Sequence, residues 1–268
     1  MFDYARVVRC DDDVRWVFEL WGQGVPKKAI ARQTGVSHTQ VQRWIRDGLN
    51  AVLASPMRRG RHAVLNSASC PLVQNVDQRA YAYLLGMYLG DGHIATQPNG
   101  VHRLRIAMCD DYPEMMRECA TAIQTVMPGR RVGLVRQVGC HDLSCYSNHW
   151  PCVFPQHGPG SKHTRPILLR RWQERIAYER FPDLLLRGLV HSDGCRFLNR
   201  VTRPTSAGLK RYEYPRYMFK NESGHIRGIF IEACRRLGIE WRWDGPTQIS
   251  IARRGSVALL DSFVGPKA

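Results

Sequence analysis

The sequence predicts an α+β protein: a small N-terminal three-helix bundle followed by two copies of an αββαββα unit. Three observations predict it. Apolar residues recur at helical spacing through the first fifty positions. Two apolar segments, each holding a glycine and closing on Asp-Gly, recur at Leu84–Gly92 and Leu185–Gly194 with their acids, Asp91 and Asp193, 102 residues apart. After each Asp-Gly the same alternation of strand-like and helix-like segments follows.

Asp11–Trp21 reads as an amphipathic helix with Val14, Val17, Phe18 and Trp21 on one face. Pro26 opens a second helix, Lys27–Thr34, at the first-turn position where proline is tolerated. Gly35 suits a turn that needs positive φ, and Ser37 is a good N-cap for a third helix ending at Asp47. Val41, Trp44 and Ile45 form its buried stripe, leaving His38, Thr39, Gln42, Arg43 and Arg46 outside. Residues 1–50 therefore resemble a helix-turn-helix domain, whose exposed third-helix side chains would face base edges in a major groove. Residues 51–76, with Arg58, Arg59 and Arg61 and no acid, read as a basic linker.

In the first repeat, residues 77–178, the pattern gives a helix ending at Gly90 and strands at His93–Thr96 and Arg103–Met108. A helix Tyr112–Val126, strands Arg131–Val138 and Asp142–Tyr146, and a helix Leu168–Tyr178 complete it. The stretch Ser147–Arg165 has no clear period. In the second, residues 179–268, a helix Pro182–Ser192 precedes strands Cys195–Val201 and Tyr212–Phe219. Then come a helix Gly224–Leu237, strands Glu240–Trp243 and Gln248–Ala252, and a last helix near Gly255–Phe263.

A carboxylate at a helix C-terminus is disfavoured by the partial negative charge there. Two such carboxylates on packed helices also repel each other, and a divalent cation between them would remove both penalties.

The paired motif resembles the LAGLIDADG family of homing endonucleases in its single-chain, two-repeat form, over roughly residues 77–265. The resemblance implies that the motif helices pack about a pseudo-two-fold axis, with Gly86 and Gly188 letting the backbones approach. It also implies a curved basic saddle of strands over double-stranded DNA and a chain that works as a monomer, an internal pseudo-dimer. Asp91 and Asp193, with the helix-end residues Gly90 and Ser192, would hold Mg²⁺ or Mn²⁺ for phosphodiester hydrolysis. Arg196, Arg200, Arg216 and Lys220 are candidate DNA contacts, among further arginines in or beside the strands whose facing depends on register. The family's basic residue at the end of the fourth strand falls at Arg253 and Arg254 in the second repeat. The first repeat has the uncharged Ser147 and Asn148 there, with Lys162 as a nearby substitute.

The charge of +16 and pI near 9.9 point to a polyanion partner. Residues 1–50 hold eight Lys/Arg against six Asp/Glu and residues 51–76 add three, leaving +11 for the repeats, the main basic body. No apolar run reaches the ~20 residues of a membrane span, and no signal peptide opens the chain. Nine cysteines without a CxxC pair fit a reducing compartment, the cytoplasm or nucleoid. Cys140, His141, Cys145, His149, Cys152 and His157 offer zinc-type ligands at spacings that fit no recognised finger. The competing function is a non-cleaving transcriptional regulator that uses the same scaffold and the helix-turn-helix only to grip DNA. Retention of both acids favours the endonuclease.

Overall fold

The structure is a computed structural model that describes residues 11–34, 36–54, 70–98, 100–206 and 208–265. It divides into two compact units, residues 1–70 and 71–268. Gly35, the arginine cluster Arg58–Arg61 and the last residues lie outside the described positions. Among the described residues no helix is long and apolar enough to cross a membrane.

The first unit holds α1 (Asp11–Gly22), α2 (Lys27–Thr34), α3 (His38–Asp47) and α4 (Leu49–Ala54). Its core is Val14, Val17, Ile30, Val36, Val41, Trp44 and Val52, so the apolar stripes of the first three helices meet as their spacing requires. The Ser37 hydroxyl caps α3 by accepting from the Gln40 amide at 3.3 Å. The buried Thr34 hydroxyl donates to the Ile30 carbonyl at 2.8 Å and accepts from the Val36 amide at 3.3 Å, bracing the α2–α3 turn. Two expectations need correction. Trp21 stands past the core at the end of α1, 41% exposed, with the Lys27 ammonium 5.0 Å from its ring. The packed body also runs beyond residue 50, because α4 adds Leu49, Val52 and Leu53 to the core.

The second unit contains α5 (Gln78–Asp91), β1 (Gly92–Thr96), β2 (His102–Cys109), α6 (Pro113–Val126), β3 (Val132–Gln137) and β4 (Cys140–Tyr146). After an irregular stretch come α7 (Pro182–Asp193), β5 (Gly194–Thr205), β6 (Gly208–Lys220), α8 (Gly224–Arg236), β7 (Arg242–Trp243), β8 (Gln248–Ile251) and α9 (Arg254–Val264). The strands form two four-stranded antiparallel sheets of identical topology, β1-β2-β4-β3 and β5-β6-β8-β7. Helices α5 and α6 cover one face of the first sheet, α7 and α9 one face of the second. Asp77 caps α5 by accepting from the Ala80 amide at 2.8 Å, and Pro113 and Pro182 open α6 and α7.

Two elements differ from expectation. The β5–β6 hairpin is longer, pairing from Gly194↔Phe219 out to Thr205↔Gly208. Its outer half is polar, basic and largely exposed among the described residues, which hides it from a search for alternating apolar residues. Pro204 lies on the sheet's edge strand and Pro215 beyond the four residues of β6 that pair with β8, so neither breaks a shared ladder. The helix expected over Leu168–Tyr178 is a single turn, Arg171–Glu174, running into a π-helical segment, Arg175–Arg180.

Candidate metal and nucleic-acid site

Helices α5 and α7 pack against each other along their length. They meet at two glycines. A Cβ on Gly86 would lie 2.6 Å from the Leu185 carbonyl oxygen, and one on Gly188 would strike the Tyr83 carbonyl. No side chain fits between these backbones, which explains glycine inside helices it otherwise weakens by about 1 kcal/mol. One turn further on, a Cβ on Gly90 would strike the Ser192 side chain and stand 2.9 Å from Asp193 Oδ2. The crossing thus brings both helix ends, and the paired acids Asp91 and Asp193, to one place. Asp91 is exposed and Asp193 half-buried.

Lys162 lies half-buried against this place. Its ammonium donates to the carbonyls of Tyr88, Leu89 and Gly90 at 2.5, 3.0 and 2.8 Å, using all three of its donors on the end of α5. It supplies the positive charge that a helix C-terminus favours. Burial pushes its pKa down to about 8, while the carboxylates of Asp193 and Asp91 pull it up and Arg165 pushes it down. The irregular stretch reaches α5 through aromatic stacking. Phe154 lies 4.1 Å from the Tyr88 ring and stacks on Trp150. Buried amides complete the anchor: Gln173 donates to the Tyr81 hydroxyl at 2.6 Å, and Gln156 donates to the Leu168 carbonyl at 2.8 Å.

From the second sheet, the turn after β6 approaches. Asn221 Nδ2 donates to Asp193 Oδ2 at 2.6 Å, and Asn221 Oδ1 accepts from the Ser223 amide at 2.7 Å, which fixes the amide's orientation. These groups line a cleft of about 460 Å³ that also contains His93, His157, Arg165, Asp193 and Lys220. Burial, with positive charge at His102 and Arg165, pushes the His157 imidazole down to about 4. Burial and Arg105 likewise lower His93, and burial lowers His102.

Strand alternation sorts the remaining cations. Leu104, Ile106, Tyr217, Phe219, Ile249 and Ile251 face the helices, so Arg103, Arg105, Arg216, Met218 and Lys220 face the other way. Arg103 Nε donates to Ser144 Oγ and Arg216 Nε to Ser250 Oγ, each at 2.6 Å, at corresponding positions of the two sheets. Arg105 is bound to Asp142 and Arg216 also to Asp244 at 2.7 Å, so these arginines brace the sheets. Lys220 is exposed at the mouth of the cleft.

The expectation for Arg196 and Arg200 is corrected by register. Arg196 pairs across from Tyr217, on the helix side, where both its nitrogens reach Asp261 at 2.7 and 2.9 Å. Arg200 shares that side and pairs with Glu213 at 3.0 Å. Arg253 and Arg254 are likewise not brought to the cleft. Strand β8 runs antiparallel to β6, so Gln248 lies beside Lys220 and the exit, Ile251, beside Tyr217. Arg253 instead pairs with Glu240 at 2.5 Å, and Arg254 is exposed on the first turn of α9.

In the first unit, Thr39, Gln42, Arg43 and Arg46 are exposed along α3 and His38 is half-buried. The Cys/His-rich segment is dispersed only in part. His141 bonds Asp110 at 2.5 Å, Cys145 is in the core and His157 is in the cleft, whereas His149 and Cys152 meet Cys70 with their ligand atoms all within 4.8 Å of one another. Asn221, His93 and Arg165 belong to the cleft and escaped sequence reasoning. Only the adjacency of Asn221 to Lys220 at a strand end could have signalled any of them.

No family model matches the chain, and no curated protein matches it. Among solved structures it is similar to the homing endonuclease I-DmoI in complex with DNA and Mn, at 14% identity over 70% of this chain and 98% of that one, with a TM-score of 0.46. It is similar to mesophilic variants of I-DmoI at 12% identity, covering 70% of this chain and 97% of that one, TM-score 0.45. It is also similar to the LAGLIDADG meganuclease I-AabMI bound to uncleaved DNA, at 10% identity, covering 68% and 82% of the two chains, TM-score 0.44.

Proposed function

We propose that residues 71–268 are a metal-dependent endonuclease of the LAGLIDADG homing type acting on double-stranded DNA. In this reading residues 11–54 are a helix-turn-helix unit that adds a second DNA contact. One observation carries the reading: the crossing at Gly86 and Gly188 sets Asp91 and Asp193 at adjoining helix ends. A scaffold that only gripped DNA would have no use for that costly pairing.

The donor set fits a hard divalent cation such as Mg²⁺ or Mn²⁺. Asp91 and Asp193 offer carboxylate oxygens, and at Gly90 only a hydrogen fits against the Ser192 side chain and Asp193, so the two helix ends come close together. Asp91 and Asp193 would hold the ion, with Gly90 and Ser192 at the helix ends beside them. Bound there, it would stabilise charge developing on a scissile phosphate and make water more acidic.

The chain's own groups do the rest. Asn221 holds the Asp193 carboxylate in one orientation through its 2.6 Å hydrogen bond. Lys162 offsets the repulsion between the acids and closes the end of α5. Lys220 stands at the cleft mouth, where it can meet a phosphate oxygen. Exposed Thr39, Gln42, Arg43 and Arg46 on α3 would meet a flanking major groove.

The test is to select bound DNA from a random pool in Ca²⁺, then add Mg²⁺ or Mn²⁺ to wild type, Asp91→Asn and Asp193→Asn. Cleavage that is lost in the variants while binding persists supports the reading. Tight binding without cleavage under either ion would make the protein a DNA-binding regulator.

A further inference from the structure

We propose that Cys70, His149 and Cys152 form a zinc site that staples the segment leading into α5 onto the irregular stretch after β4. The ligand atoms of the three residues all lie within 4.8 Å of one another. His149 is the N-cap of the helical turn Trp150–Val153, so Cys152, three residues on, shares its face. His149 Nδ1 stands 4.0 Å from Cys152 Sγ. At ordinary zinc bond lengths, about 2.3 Å to sulfur and 2.0–2.1 Å to nitrogen, tetrahedral donors stand roughly 3.5–3.8 Å apart. Closing on an ion therefore needs adjustments of about 1 Å or less, within reach of side-chain torsions.

The donor chemistry selects the ion. Two thiolates and an imidazole suit Zn²⁺, whereas Mg²⁺ prefers oxygen donors such as the paired aspartates. On binding, each thiol gives its proton to solvent and a sulfur lone pair to the metal, and nothing is oxidised or reduced. The fourth corner of the tetrahedron goes to water or a further donor.

The surroundings hold the ligands in place. The His149 carbonyl accepts from the Cys152 and Val153 amides at 2.9 and 3.0 Å, and the His149 amide donates to Ser147 Oγ at 3.1 Å. Buried Trp150 donates from Nε1 to the Cys145 carbonyl at 2.9 Å, and the Tyr81 hydroxyl of α5 donates to the Val153 carbonyl at 2.9 Å. Cys70 is one peptide bond before the short helix Pro71–Gln74, which packs on Trp150–Val153. Cys70 and Cys152 are buried and His149 is exposed, so the thiols are sheltered while one side stays open for the ion to enter. Cys70 stands far up the chain, which is why the Cys/His spacing within residues 140–157 matches no finger. The same stretch carries Phe154 onto Tyr88 and Lys162 onto the end of α5, so an ion here would stiffen the frame of the cleft.

The experiment uses the full chain, kept reduced, stripped of metal and titrated with Zn²⁺ alone in competition with a chromophoric chelator. One equivalent should bind tightly, and Co²⁺ in its place should give the intense visible bands of a tetrahedral ion with a thiolate charge-transfer band. Cys70→Ser and His149→Ala should each weaken binding at least about a hundredfold, the upper end of what losing a mere outer partner costs. His149 is exposed, so its variant folds even where a buried thiol cannot be replaced. Zn²⁺ should raise the melting temperature of the wild type and not that of His149→Ala. Asp91→Asn, Asp193→Asn and excess Mg²⁺ should leave the zinc in place, so the outcome is independent of the endonuclease reading. Zinc affinity no greater than that of His149→Ala, a Co²⁺ spectrum without the thiolate band, or loss of the ion in the aspartate variants would overturn the inference.

Discussion

A Cβ at Gly188 would strike the Tyr83 carbonyl and stand 3.0 Å from both the Gly86 Cα and the Met87 nitrogen. Backbone cannot step aside as a flexible side chain can. Gly188→Ala should therefore destabilise the second unit by about 3 kcal/mol, at the upper end of overpacking costs. Gly228 is the control, exposed inside α8 with nothing within 4 Å of an added Cβ. Gly228→Ala should stabilise by about 0.5–1 kcal/mol, since only helix propensity changes. Urea unfolding of the two variants decides the matter, and equal shifts would refute the close crossing. The cleft histidines make a separate statement. Burial holds the folded His157 pKa near 4, below its ordinary value of 6.5, so the unfolded chain takes up its proton first as pH falls. The stability it contributes is complete above 6.5 and lost as pH drops through about 4. Replacing His157 with Gln should flatten the fall in melting temperature between pH 6.5 and 4, and an unchanged slope would place the imidazole in solvent.

At the scale of elements, the two sheets are tied across their outer faces by matched arginine–serine bonds. Arg216 is nearly buried, so Ser250→Ala leaves one of its donors without that partner. A loss of about 1.5–3 kcal/mol should follow, read from thermal or denaturant unfolding, and a loss under 0.5 would make the bond incidental. Arg187 of helix α7 ties it to two neighbouring helices. Arg187 grips Glu118 of α6 with two 2.7 Å bonds and the Phe263 carbonyl of α9 at 2.6 Å. The buried His191 imidazole of α7 meets the Tyr83 hydroxyl at 3.1 Å and the Val264 carbonyl at 3.0 Å, so it serves packing and not the site. On α3, Arg43→Ala should leave the first unit folded, because the side chain is exposed. If the helix contacts DNA, the salt dependence of binding should fall by roughly one counterion. An unchanged salt slope would remove Arg43 from the interface.

For the whole molecule, the basic charge and the paired acids pull in different directions. A chain of +16 would attract DNA everywhere, whereas in the proposed endonuclease cleavage is confined to the two helix ends. Asp193→Asn should therefore abolish cutting while leaving affinity within a few-fold of wild type in Ca²⁺, measured by gel shift against cleavage on the same DNA. Loss of both together would mean that the carboxylate holds the fold. Residues 71–268, a compact unit with its own sheets and helices, should fold and melt cooperatively when expressed alone.

Element order, the two acids and the two glycines were legible in the sequence because each follows from local pattern. Apolar spacing sets a helix's buried face, Asp-Gly marks its end, and two such segments at domain distance announce a repeat. The facing of Arg196 was not legible. Its neighbours Phe197 and Leu198 are both apolar and both partly exposed, so alternation gave no side, and the pairing with Tyr217 decided it. Nor was the place of Arg253, which depends on the antiparallel direction of β8. Lys162 and Asn221 reach the site across separations of 74 and 28 residues, one on a stretch without period and one at a strand end. Local chemistry determined which residues could form a site, and long-range pairing decided which polar groups surround it, because hydrogen bonds between distant segments leave no periodic trace in the chain.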